Sequence, residues 1–377
     1  MNKLYKVVWN ARLQCWQAVS EFAKSHSGAS SVKTAYDKKR KKNAVAYAAG
    51  VAALTLSLSV SAAIHDNALP AGQQIISGSA DFTQAGNTLN INQHSQHLAT
   101  NWNTFNIGSH AAVNFNQLNQ SSVAVNRVLD NNASQIMGRL NANGQVILIN
   151  PNGVVFSKTA QVNVGGIVAS TLDLQQQDVL DGKFTFTGSG KSGSVENHGN
   201  IQAQNSGTVA LIAPIVKNTG SISAENGRVE LTAADKVRVS LQNGQLISYD
   251  IDQGTLQGLV ENSGAIIADN GVVHLTAAAE LQLGRAVVNH TGYIQANRLE
   301  TNAKGEIVLL GDLSNGAANI SGSLVSEGKN GQAGGFIETS AATVNIADTA
   351  HVSTQAEAGG KAGKWLIDPV DFVVAAT

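Results

Sequence analysis

The chain predicts an all-β fold, a right-handed parallel β-helix (solenoid) with short extra-helical strands. Three observations predict it: aliphatic residues that alternate with polar ones, Asn-Gly pairs between the alternating runs, and two short patterns that recur at about 20 residues. Composition agrees. Gly occurs 37 times in 377 residues, aromatics make up 5% and Pro occurs only four times, a balance that suits short strands and tight turns better than packed helices.

One pattern reads V-x-N-x-G-x-I-x-A and occurs at Val195 to Ala203, Val216 to Ala224, Val260 to Ala268 and Val288 to Ala296, the last with His290 and Thr291 inside it. The other reads G-x-V/I-x-L, at Gly144, Gly207, Gly227, Gly271 and Gly305. Alternation of this kind is the mark of a strand with one buried face, and Asn-Gly at 143–144, 226–227 and 270–271 supplies turns that need positive φ. The period then selects the architecture. A hairpin meander would repeat at about 8–12 residues, whereas recurrence near 20 is one full coil of a solenoid. From Gly207 the glycine spacings are 20, 44 and 34, which read as one coil, two coils, and a coil with an insertion or a lost turn. No coil carries enough inward aliphatics to fold alone, so stacking must bury a continuous column. At about 4.8 Å per coil, the 315 residues after the leader would form a rod roughly 75 Å long. The L-x-x-L-x-L-x-x-N signature of leucine-rich repeats is absent.

The first sixty residues are an address. Residues 44–63 form an apolar run behind the basic block Lys38-Lys39-Arg40-Lys41-Lys42 and close on Val60-Ser61-Ala62-Ala63. That is an n-region, an h-region and a cleavage site, with cutting expected after Ala62 or Ala63. The run is just long enough for a membrane anchor, but its Ala, Ser and Gly make it weakly apolar and favour cleavage. Residues 1–62 hold ten Lys/Arg against Glu21 and Asp37, a net +8, so the rest holds 15 against 24, a net −9. The basic character belongs to the leader, which argues against a nucleic-acid partner for the mature chain. The one cysteine, Cys15, also lies in the leader. A chain that must cross a second membrane unfolded cannot tolerate disulfides, although the count alone fits an incidental cysteine equally well.

Ahead of that signal sequence stands MNKLYKVVWN, then Trp16 and Ser20-Glu21. This segment resembles the extended signal peptide region of autotransporters and two-partner secretion proteins. From Leu69 to about Leu172 the chain resembles the N-terminal secretion domain of two-partner secretion exoproteins, the filamentous haemagglutinin and high-molecular-weight adhesin family. The matching stretches, in order, are Asn101 to Gly108, Val113-Asn114-Phe115, Ser122 to Val128, Ile136 to Leu140, Asn143 to Phe156 and Val164 to Thr171. Later segments, Gly334 to Ser340 and Lys364 to Pro369, resemble stretches that follow the secretion domain in high-molecular-weight adhesins. The N-P-N-L element that the family often carries is missing, and the only N-P-N is at 150–152.

The resemblance implies an extended signal peptide over 1–62, a secretion β-helix domain over 63–310, and a continuing β-helix or adhesin-like segment over 311–377. That last segment ends without a recognisable cap or effector domain, as a truncated product or the front of something longer would. It implies a secreted surface adhesin of a Gram-negative bacterium, exported by Sec through the periplasm. The partners implied are the periplasmic domains of a cognate outer-membrane transporter and a host or bacterial surface receptor or glycan. The alternative is the N-terminal delivery part of a contact-dependent toxin or haemolysin.

The candidate site is Asn150-Pro151-Asn152-Gly153. Pro fixes φ, Asn-Gly turns, and Asn amides cap backbone groups left unpaired, so the residues by themselves read as a turn between two strands. The resemblance adds support of the surface that the transporter recognises. Asn126 and Arg127 are a further candidate polar contact, although an Arg is more often solvated or paired locally. Other chemistry is not expected. His94 and His97 are spaced like a metal pair but have no third ligand in pattern, Lys191-Ser192 lacks the glycine of a phosphate loop, and no cofactor is implied. A β-helix polysaccharide lyase or hydrolase would need carboxylates meeting across coils. Here Glu196, Glu225, Glu230, Glu261 and Asp269 are expected to fall singly on outward or turn positions, so no enzyme is expected.

Overall fold

A computed structural model of the chain describes residues 5–10, 15–20, 64–174, 178, 183–190, 193–242, 245–280, 284–357 and 359–370. The expected cleavage residues Ala62 and Ala63, the apolar run 44–63 and Lys191-Ser192 lie outside the described residues. In the leader, Tyr5–Asn10 pairs antiparallel with Cys15–Ser20 and sets Trp9 opposite Trp16.

In the mature chain each coil lays one strand on each of three parallel sheets. Ser194–Asn197, Asn200–Ala203 and Thr208–Ala213 make one coil, and Ile215–Asn218, Ser221–Ser223 and Arg228–Ala233 stack on it in register. Val195 meets Val216, Ile201 meets Ile222 and Val209 meets Val229. The nine-residue pattern is therefore two strands joined by a corner, and the G-x-V-x-L pattern is the third strand. Alternation sends Val, Ile and Ala inward, where Val195, Val216, Val260, Ile201, Ile222 and Ile266 are all fully buried. The result is the right-handed parallel β-helix expected, in the hand that successive parallel strands almost always adopt.

The corners need glycine because the coils pass so close. A Cβ on Gly220 would stand 2.1 Å from the Gly199 carbonyl oxygen, and one on Gly227 would stand 2.1 Å from the Gly207 carbonyl oxygen. The Asn-Gly turns at 226–227 and 270–271 carry the positive φ expected, and the one at 143–144 does not. Positive φ is carried by the asparagines, Asn226 at 53° and Asn270 at 61°, while the following glycine answers to close approach. At 143–144 neither residue has positive φ. Asn143 instead bonds the preceding coil, accepting from the Gln117 N–H at 2.7 Å and donating to its carbonyl at 2.9 Å.

The spacing of 44 is also corrected: Arg228–Ala233 and Val272–Ala277 are neighbours in the ladder, one coil apart. The extra residues leave the coil as Lys236–Gln242 and Gln245–Gln253, an antiparallel hairpin. It pairs through Lys236–Gln242 with Lys183–Thr187, which pairs in turn with Asp173–Leu174, an excursion of an earlier coil. These four strands form a separate antiparallel sheet over the outside of the helix. Beneath it lies a second core, in which Leu172, Phe184, Phe186 and Val237 pack on outward aliphatics of the coil such as Ile147, Ile149 and Ile212. Excursions lengthen some coils and so reduce their number. Ten parallel strands run from His97–Trp102 to Lys364–Pro369 in one of the two longest ladders, and their nine spacings span about 43 Å instead of 75 Å.

At the N-terminal end the column is closed by antiparallel strands, Gln74–Ser77 on His97–Trp102 and Ala80–Ala85 on Thr88–Gln93. Phe82 meets Trp102 edge-on at 5.7 Å, and Trp102 meets Phe105 at 5.4 Å.

Candidate transporter-recognition site

Asn150 to Gly153 form the corner between Gln145–Ile149 and Val154–Phe156. Asn150 is fully buried. Its Nδ2 donates to the Asn132 carbonyl at 2.9 Å and the Ser134 hydroxyl at 3.0 Å, and its Oδ1 accepts from the Asn152 N–H at 3.0 Å. Asn152, half-buried, donates from its amide to the Asp130 carbonyl at 2.6 Å. Gly153, at φ 126°, donates back to the Asn150 carbonyl and accepts from Ser134 N–H. Both asparagine side chains thus reach back to the preceding coil and fix the segment 129–134. That segment presents Leu129 with 57% of its surface exposed. What the corner offers to solvent is Pro151, Asn152 and this braced segment, and sequence reasoning missed the segment because its contacts come from the coil stack.

Asn126 is buried and accepts from the Trp102 indole N–H at 3.0 Å while its amide donates to the Ala124 carbonyl at 3.1 Å. Arg127 stands beside it on the outer face, with Nε 2.8 Å from the Asp173 carboxylate and a terminal nitrogen donating to the Leu174 carbonyl. Asn126 therefore anchors the capping tryptophan, and Arg127 ties the coil to the extra-helical sheet. Neither sits at the Asn150–Gly153 corner. His94 pairs with Asp81 at 2.8 Å, and among the described residues no group of three His, Cys, Asp or Glu is arranged to hold a metal ion.

The expectation for the acids fails at Glu230. Stacking in register brings Arg228 and Glu230, His274, and Glu306 together from three successive coils. Glu230 is 1% exposed and pairs with Arg228 and with His274 Nδ1 at 3.3 Å, while His274 Nε2 lies 3.0 Å from Glu306. Burial opposes charge on His274, but its bonds to Glu230 and Glu306 outweigh that and raise it to about 9. The hydrogen bond from His274 holds Glu306 below the usual carboxylate range. The hairpin reaches this patch through Tyr249, whose hydroxyl donates to Thr232 at 2.7 Å and is pushed up by burial and by Glu230. Two carboxylates do meet across coils here, but each is bonded to His274 and Glu230 is sealed from solvent, so the group works as an ionic clasp.

The model of the TPS secretion domain matches residues 61–338, and that of the extended signal peptide of the type V secretion system matches residues 1–63. The chain belongs to the TPS secretion domain family. Among solved structures, the HMW1 secretion domain from Haemophilus influenzae is 30% identical, covers 77% of this chain and 75% of its own, and superposes with a TM-score of 0.69. A heme/hemopexin-binding protein of Haemophilus influenzae is 34% identical over 205 residues, 51% of this chain and 22% of the relative. A second protein of that name from the same species is 43% identical over 99 residues, 26% of this chain and 11% of the relative. The chain thus spans about a fifth or less of the curated relatives it matches. Membership in the family with the extended signal peptide makes this a two-partner secretion exoprotein of a Gram-negative bacterium, exported by Sec to the cell surface.

Proposed function

We propose that the chain belongs to a surface adhesin without enzymatic activity, whose secretion domain is read by the periplasmic domains of a cognate outer-membrane transporter at the Asn150–Gly153 corner. In this reading residues 1–62 are removed as the extended signal peptide, 63–310 are the secretion domain, and 311–377 continue the shaft. The observation that carries it is the continuous coil. From His97 to Pro369 one ladder stacks its outward side chains in register, which suits display along a surface-anchored rod. The corner is the best element for recognition because two asparagine amides brace an exposed segment there. The receptor is a host or bacterial surface protein or glycan. The relatives named for heme/hemopexin binding favour a second reading, in which the displayed shaft captures a haem-carrying protein.

The experiment expresses the full chain with and without its cognate transporter, then measures release and adherence. Surface-exposed or released chain only when the transporter is present is expected, and equal release without it overturns the recognition reading. Cells displaying the chain should adhere to host or bacterial cells more than cells that lack it. Unchanged adherence together with capture of hemopexin would replace the first reading with the second.

A further inference from the structure

A row of side-chain amides runs through the interior of the coil. Asn197, Asn218 and Asn262 stand in register on successive strands, and the next position in the row is His290. All four are fully buried. Asn197 Nδ2 donates to Asn218 Oδ1 at 2.8 Å, and Asn218 Nδ2 donates to Asn262 Oδ1 at 2.7 Å. Asn262 Nδ2 lies 3.2 Å from His290 Nδ1, and His290 Nε2 lies 3.0 Å from the Ser323 carbonyl on the following coil.

The direction of this row is set at its first member. The Gly199 N–H donates to Asn197 Oδ1 at 3.1 Å, and a backbone N–H can only donate. Asn197 must then present its NH2 to Asn218, which must present its own to Asn262, and Asn262 in turn offers NH2 to the imidazole. His290 Nδ1 has to be the acceptor and Nε2 has to carry the proton, because its other partner is a carbonyl. Turning one amide over would set donor against donor at the next step, so the row can reverse only as a whole and against the Gly199 N–H.

We propose that His290 makes the seam between Gln257–Asn262 and Arg285–His290 acid-sensitive: the coil stack requires the neutral ring, and protonating Nδ1 opens the coils from residue 285 onward while the coils before the seam stay closed. An imidazolium would face the Asn262 NH2 with a second N–H at a position sealed from solvent. Among the described residues no charged side chain faces it. On the adjoining strands Glu261 and Arg285 lie on the alternate, outward positions, Tyr293 is exposed, and Gly316–Ile320 and Ser323–Val325 carry no titratable group. Burial pushes His290 below its ordinary range, and the nearby Ser323 and Asn262 carbonyls offset only part of that. The repeat itself supplies the control, since Asn occupies this position on the three preceding coils. Asn at 290 could accept from Asn262 and donate to Ser323 at any pH.

The test compares the full chain with its His290→Asn variant by hydrogen exchange at pH 7.4 and pH 5.0, read as protection factors after correction for intrinsic exchange. In the parent, protection over residues 285–295 and 316–325 should fall on the order of tenfold at pH 5.0, the cost of one buried unpaired donor. Residues 194–213 should keep theirs, and His290→Asn should show no such fall. An equal acid loss in the variant, or none in the parent, overturns the proposal. Should His290→Asn fail to fold, the parent still decides it by NMR: a His290 ring that gains its proton at or above pH 6.5 overturns the proposal, and one that stays neutral, with the proton on Nε2, well below that pH upholds it.

Discussion

Alanine at Asn150 and at Asn152 should have unequal effects, although both residues belong to one short motif. Asn150 has no exposed surface, and its side chain makes two donor bonds and accepts two from Asn152. Its removal strands the Ser134 hydroxyl, only 2% exposed, and a buried polar group left unpaired costs about 1–3 kcal/mol on top of the bonds lost. Asn132 is exposed, so water can replace the donor that its carbonyl loses. A loss of about 3 kcal/mol follows for Asn150→Ala. Asn152 is half-buried and its amide holds the Asp130 carbonyl at the surface, so Asn152→Ala should cost about 1 kcal/mol, within the margin of a domain of this size. Denaturant melts of the two purified variants measure both losses, and the ratio of released to periplasmic protein measures secretion. If the corner is read by the transporter, Asn152→Ala blocks release while its melt stays near that of the parent. Equal melts for the two variants would refute the burial reasoning. Normal release of Asn152→Ala would remove the recognition role and leave a turn.

Three further outcomes follow from the structure. His274 is raised in the folded chain from its ordinary 6.5 to about 9, so the clasp contributes fully below pH 6.5 and is lost as pH rises through 9. The contribution is at most about 3 kcal/mol, and urea melts at pH 6.0 and 9.5 should show a loss that His274→Gln flattens; a parallel pH dependence in that variant would count against the clasp. Gly220→Ala drives a Cβ onto the Gly199 carbonyl oxygen and should cost about 3 kcal/mol in a thermal or urea melt, whereas a neutral effect would show that the corner relaxes. Mass spectrometry of exported protein should find Ala63 or Ile64 at the N-terminus, and intact Met1 in the membrane fraction would contradict removal of the leader.

Much of the fold was legible because its causes are local. Alternation decides which face of a strand turns inward, and the V-x-N-x-G-x-I-x-A pattern contains two strands and the glycine their corner requires, so the coil could be read from Val195 to Ala296. The Asn150–Gly153 turn was legible for the same reason. The spacing of 44 misled because length alone cannot distinguish two coils from one coil with a hairpin outside it, and the same error made the rod too long. The solitary look of Glu230 followed from that error, since His274 is its neighbour only if Arg228–Ala233 and Val272–Ala277 are adjacent.

By itself the amino-acid sequence determined the β-helix class, the inward column, the corner glycines and the export address, all of which depend on residues within one coil or one leader. Only the tertiary structure decided which coils are adjacent, and hence that Glu230 meets His274 and Glu306, that Arg127 reaches Asp173, and that the row of Asn197, Asn218 and Asn262 ends on His290. The physical reason is that contacts across a parallel ladder are set by register about 4.8 Å away, and register survives any excursion of the chain that leaves and rejoins the coil.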